Sequence, residues 1–119
     1  MKIYAFEVRE DEKEYFDELA AIPGLDLVLS PDGLTMNHIK TLEKDSGVSI
    51  LGMYTYRRPE LDALKEQGIH YLSTRTIGYN HIDVDYARQI GLHVCNARYD
   101  PHGVADYTIM MIHLCLRNY

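Results

Sequence analysis

Cysteine is nearly missing: Cys95 and Cys115 are the only two, and neither belongs to a C-x-x-C pair. A disulfide framework or a zinc site therefore has little to build on, and reduced, packed thiols are expected. No run approaches the roughly 18 apolar residues of a membrane span. The N-terminal "MKIYAFEVRE" has charges at both ends of a short apolar run and no cleavage-like small-residue site, so a cytoplasmic protein with no membrane partner is expected. Positive charge is scarce: the formal net charge is −6, acidic residues crowd Glu7 to Glu18, and basic ones are scattered. No stripe can track a phosphate backbone, which argues against a nucleic-acid partner.

Other absences narrow the chemistry. No two glycines lie two residues apart, so the G-x-G-x-x-G of a dinucleotide site is missing. Gly47 and Gly52 have P-loop spacing, but Met53 stands where lysine must follow, and the intervening "VSIL" reads as strand. Gly52-Met53 also occupies the place where a phosphate-accepting receiver domain needs an aspartate at the end of its third strand. None of the 6 histidines is paired with another at i,i+3 or i,i+4, and His70 and His93 fall within strands, so no metal site is expected. His102 and Asp106 share a helical face, yet Asp106 is also explained by the favourable end of the helix dipole.

What is present is an alternation of strand and helix signals along 119 residues, enough for one domain with its own core. Strands are expected at Lys2–Val8, "LDLVLS", "VSILGM", "IHYLS" and "LHVCN". Helices are expected at Asp11–Ile22 after an Asp11 cap, Thr35–Ser46, "PELDALKEQG", "DVDYARQIG" and one long final segment. Each helix supplies the crossover that a parallel neighbour requires. The expected fold is α/β: a flavodoxin-like, doubly wound, five-stranded parallel sheet in three α/β/α layers.

In such sheets ligands sit beyond the carboxyl ends of the strands. The loops there are rich in polar and aromatic side chains, among them Tyr54, Tyr56, Arg57, Arg58, Arg75, Tyr79, Asn80, Arg98 and Tyr99. Thr76-Ile77-Gly78 stands out, because successive backbone N–H groups beside a glycine able to take positive φ, with Arg75 near, make a small anion nest suited to a carboxylate. A glycine needed only for the turn explains the same residues equally well.

"STRTIGYNHID" (Ser73–Asp83) together with "ARYDPHGVADYTIMMI" (Ala97–Ile112) resembles the NAD-dependent D-2-hydroxyacid dehydrogenases, most closely their D-lactate dehydrogenase and vancomycin-resistance branches. The resemblance implies that residues 1–100 are a substrate-binding domain for a 2-oxo acid such as pyruvate, completed in that family by a returning C-terminal segment. It implies NAD as cofactor of the intact enzyme. The Rossmann domain and the catalytic arginine, glutamate and histidine lie outside this chain, so no catalytic, cofactor-binding or metal residue is assigned here, and the chain alone is expected to be inactive. Thr76, Ile77 and Gly78 match the loop whose N–H groups bind the substrate carboxylate, and Tyr99 matches an aromatic residue that approaches the substrate. Tyr54 is a weaker candidate in a segment that does not align securely. Asp100 replaces the usual serine, but both cap well before Pro101.

The last helix carries an argument of its own. In "VADYTIMMIHLCL" (Val104–Leu116), Ile109, Met110, Met111 and Ile112 cover every direction round the axis, where a helix on one sheet needs a single apolar stripe. Residues 101–119 are therefore expected to begin an interdomain or oligomerisation helix, packed by the missing Rossmann domain or by a homodimer partner. Arg117-Asn118-Tyr119 has no glycine stop, as in a helix continuing onward. The rival expectation is a stand-alone flavodoxin-like binding and dimerisation module without redox activity.

Overall fold

The computed structural model describes residues 1–118. The elements are β1 (Lys2–Ala5), a 3-10 turn (Glu10–Glu12), α1 (Lys13–Ala20), β2 (Asp26–Leu29), α2 (Met36–Ile39), β3 (Gly47–Ile50), α3 (Arg58–Glu66), β4 (Tyr71–Thr74), α4 (Val84–Gln89), β5 (His93–Asn96) and α5 (His102–Leu116). The five strands are parallel in the order β2-β1-β3-β4-β5, the doubly wound order the alternation implies.

Strand alternation divides the buried side chains between two faces. Val48, Ile50, Leu72 and the half-buried Val94 point to one face, where Ile39 of α2, Leu61 and Leu64 of α3 and Ala87 of α4 close the main core. Each large side chain buried there is worth about 1.5–3 kcal/mol. The opposite face is covered only by α1, through Phe16. Beside α1 lies an open groove of about 510 Å³ whose apolar walls include Ile3, Tyr15, Leu19, Leu27 and Tyr71. Among the described residues the second helical layer is thus half built, and α5 packs on no other element. All its described residues are exposed, with Ile109, Met110, Met111 and Ile112 at 55, 47, 41 and 53%.

Three local expectations are corrected. The helix expected over Thr35–Ser46 is a single turn, because side chains take the carbonyls a longer helix would need: Thr41 Oγ1 donates to His38 O, Ser46 Oγ to Glu43 O and Gln67 Nε2 to Leu42 O. Asp45 then turns into the left-handed region, φ 61°. The first helix starts at Lys13, with Glu12, not Asp11, at its N-cap position and no side-chain cap bond; the Glu12 carboxylate instead accepts the Arg9 N–H at 3.0 Å, closing the 3-10 turn that precedes the helix. Cys95 and Cys115 are free but exposed, not packed, because one lies on the open sheet face and the other on α5.

The Arg75 guanidinium ties this frame together. It donates to Glu12 Oε1 (3.0 Å), Ser49 Oγ (3.0 Å), Phe6 O (2.9 Å) and Glu7 O (3.1 Å), and lies over the Phe16 ring. Arg75 and Glu12 are 17 and 18% exposed, so removing one strands the other's charge at a cost of roughly 3 kcal/mol. Burial pushes the Glu12 carboxyl up, but hydrogen bonds from Arg75 and the Arg9 backbone outweigh it and hold the group below its ordinary 4.5. A carboxyl depressed in the folded state contributes stability above its unfolded pKa and loses it as pH falls through the folded value. Arg75→Met is expected to lower the urea-unfolding free energy by roughly 3 kcal/mol at neutral pH. It should also remove the part of the wild-type stability loss that sets in on acidification below 4.5.

Candidate functional site

The carboxyl ends of β3, β4 and β5 bring three loops together. β4 ends at Thr74, and alternation sends Arg75 to the α1 face and Thr74 to the α2–α4 face. Arg75 is consumed in the frame and does not attend the Thr76-Ile77-Gly78 loop, which corrects that part of the anion-nest expectation. Gly78 is also not in the left-handed region. The loop is built differently.

Three consecutive peptide planes are held by their carbonyls. Thr76 O accepts the Ala97 N–H at 3.1 Å, Ile77 O accepts Asn96 Nδ2 at 2.8 Å, and Gly78 O accepts the Thr76 hydroxyl at 2.7 Å. In a planar trans peptide the N–H points opposite the C=O. Holding the first two carbonyls toward β5 therefore turns the Ile77 and Gly78 N–H groups away from β5, and holding the third orients the Tyr79 N–H. Among the described residues none of these N–H groups has a protein acceptor, and Gly78 has no atom within 4 Å of where a Cβ would stand. The result is a row of oriented, unsatisfied donors at an open edge, a fit for a carboxylate.

Tyr54 and Tyr99 follow β3 and β5, the strands on either side of β4, and are 49 and 54% exposed. No hydrogen bond among the described residues joins either ring to the loop. Tyr54 is positioned by Gly33: a Cβ there would stand 1.9 Å from the Tyr54 ring. Asp100 caps α5 as expected, accepting the His102 N–H at 3.0 Å, and the His102 ring turns to Asp100, not to Asp106.

Three side chains organise these loops in ways sequence reasoning did not foresee, although Tyr56 was among the loop residues it named. Glu7 is buried with φ 57°, and its carboxylate accepts the successive N–H groups of Leu51 (2.5 Å), Gly52 (2.8 Å) and Met53 (3.0 Å). A cradle of successive amides does exist in this protein, but it follows β3 and the protein fills it itself. Tyr56 is wholly buried; its backbone joins the β3 loop to the β4 loop, donating to His81 O (2.7 Å) and accepting from Asp83 N (3.0 Å). Burial, with the Glu7 charge adding, pushes its phenol well up, and the hydroxyl has no partner among the described residues. His81 lies against Gly52 and reaches Thr74 Oγ1 at 3.2 Å; burial pulls its pKa down, against the opposing pull of Glu7. None of these follows from periodicity, because each depends on a contact between distant loops.

No dinucleotide cradle forms at these strand ends. β1 runs into Phe6-Glu7-Val8 without a glycine, and the amides at Leu51–Met53 face a carboxylate that would repel a pyrophosphate. Among the described residues no three His, Cys, Asp or Glu side chains cluster to hold a metal ion, and no helix is long and apolar enough to cross a membrane.

Residues 3–110 match the family model for the D-isomer specific 2-hydroxyacid dehydrogenase catalytic domain. The chain belongs to that family. It is 39% identical over 110 residues to an aromatic 2-oxoacid reductase of Clostridium sporogenes, covering 92% of this chain and 33% of the relative. It is 33% identical over 116 residues to a D-specific alpha-keto acid dehydrogenase of Enterococcus faecium, covering 98% and 36%. The structure of Escherichia coli D-lactate dehydrogenase superposes with a TM-score of 0.80 at 30% identity, covering 96% of this chain and 36% of that one. The chain thus spans about a third of the length of the curated relatives it matches. The groove beside α1 lies on the sheet face away from the donor row, and its charged members Glu12 and Arg75 are bound to one another.

Gly33→Ala is expected to displace the Tyr54 ring while costing no more than about 0.5 kcal/mol, because a half-exposed ring can swing aside. Tyr54 ring proton shifts and a urea melt would check the two halves of this outcome.

Proposed function

We propose that this chain is the substrate domain of an NAD-dependent D-2-hydroxyacid dehydrogenase of the D-lactate type, and that its donor row binds the carboxylate of a 2-oxo acid such as pyruvate. The observation that carries this reading is the set of free N–H groups at Ile77, Gly78 and Tyr79, oriented by their own carbonyls. Each hydrogen bond to a charged carboxylate is worth about 1.5–3 kcal/mol, enough in sum to fix which end of a small acid is held. Tyr54 and Tyr99 wall the space on either side and bear on the side chain accepted. Aromatic 2-oxo acids, alpha-keto acids and D-lactate figure in the relatives' names, and a carboxylate beside the reacting carbon is common to all of them.

In the intact enzyme NAD supplies the hydride chemistry from a Rossmann domain that this chain does not contain. The chain's own residues bind and orient the substrate and carry no proton to it, so alone it is inactive. Two bare apolar surfaces support a role as part of a larger cytoplasmic enzyme: α5, exposed all round, as the interdomain helix, and the groove beside α1 as the seat of the returning C-terminal segment.

A second reading, a stand-alone module that dimerises through α5 without redox activity, rests on the same exposed helix. Oxamate or pyruvate titrated into the ¹⁵N-labelled chain is expected to shift the Ile77, Gly78 and Tyr79 amides, and unmoved signals would sink the carboxylate reading. The purified chain mixed with NADH and pyruvate is expected to show no turnover; measurable turnover would overturn its assignment as a substrate domain alone.

A further inference from the structure

The oriented amides of Ile77, Gly78 and Tyr79 need something to hold their carbonyls, and two side-chain devices do so. The first is Asn96 at the end of β5, whose amide N–H holds the Ile77 carbonyl and so sets the Gly78 N–H. The second begins at His81. Its Nε2 lies 3.2 Å from Thr74 Oγ1, which lies 2.7 Å from Thr76 Oγ1, which in turn lies 2.7 Å from Gly78 O.

A threonine hydroxyl has one proton to donate, and this settles every direction in the chain. Gly78 O can only accept, so Thr76 gives it its proton. Thr74 must then donate to Thr76, and its 3.4 Å approach to Leu51 O is left without a proton. Thr74 Oγ1 can only accept from His81, so Nε2 must bear hydrogen. The ring is held for this task by Gly52, whose missing side chain leaves room: a Cβ there would stand 3.1 Å from Nε2. Gly52 itself is fixed at φ 122° by the Glu7 carboxylate on its N–H. The wall loop and the donor loop are therefore coupled through Glu7, Gly52 and His81.

We propose that Asn96 and the His81–Thr74–Thr76 chain are positioning residues that aim the substrate-binding amides. The proposal rests on the carboxylate reading above. It requires His81 to be the Nε2–H tautomer at neutral pH, a property that mere space-filling by the ring would not impose.

The test uses the ¹⁵N,¹³C-labelled chain with oxamate as probe. Imidazole ¹⁵N shifts are expected to report Nε2–H for His81; an Nδ1–H ring overturns the hydroxyl chain. Thr74→Val should weaken oxamate binding by about tenfold, the loss expected when one charge-assisted hydrogen bond is misaimed. Thr74→Ser, which keeps the hydroxyl, should stay within about twofold. Thr74 is buried, so Asn96→Asp, at an exposed position, provides a variant with no folding risk. Its carboxylate cannot donate to Ile77 O, and the Ile77 carbonyl and Gly78 amide signals should both move, with a similar loss of affinity. Wild-type affinity in Thr74→Val and Asn96→Asp would overturn the positioning proposal while leaving the carboxylate reading intact. A wild-type chain that ignores oxamate would sink both, since the aimed amides would have nothing to hold.

Discussion

The Arg75 guanidinium is the point on which the sheet and its loops depend. Five donors in a fixed plane must be satisfied when they leave water. Here four of them are met by Glu12 from the 3-10 turn, Ser49 from β3 and the carbonyls of Phe6 and Glu7 beyond β1, with Phe16 of α1 beneath. One residue at the end of β4 thereby fixes the exits of β1 and β3 and the start of the first helix. Because side chains alternate along a strand, sending Arg75 to the α1 face leaves Thr74 and Thr76 free to serve the opposite side. The frame and the site are built from the same four residues, Thr74 through Ile77, used alternately.

A second constraint runs through the peptide planes. The free donors of the Ile77–Tyr79 loop belong to the backbone, and backbone donors can be aimed only by holding the carbonyl on the other side of the peptide. The protein does this from three directions, with the Ala97 N–H, the Asn96 side chain and the Thr76 hydroxyl. The Glu7 carboxylate fills the one competing cradle, at Leu51–Met53. An anion entering the strand ends therefore meets free donors in one place and a negative charge in the other.

Much of the fold was legible in the residues because it depends on local periodicity. Alternating apolar runs and capped helices led to the five-stranded parallel sheet, and the even apolarity of Val104–Leu116 led to a helix with no seat on its own domain. The long second helix was misjudged because the hydroxyls of Thr41 and Ser46 and the amide of Gln67 compete for its carbonyls, the last from more than twenty residues away. At the site, Thr76, Ile77 and Gly78 were legible as a loop of backbone donors, but the reason was wrong. Neither a left-handed glycine nor Arg75 makes the donors available; Asn96 and a chain of hydroxyls do.

The sequence by itself determined the architecture and the family, because period-2 and period-3.6 patterns and short motifs are written along the chain. The tertiary structure alone decided which tyrosine is exposed and which is an anchor: Tyr54 rests half-exposed on Gly33, while Tyr56 is buried with its backbone joined to His81 and Asp83. It alone placed Glu7 against amides more than forty residues away and chained His81 to Gly78 through two threonines. Those arrangements depend on where separate strand ends meet, and a meeting of distant segments leaves no periodic trace in either of them.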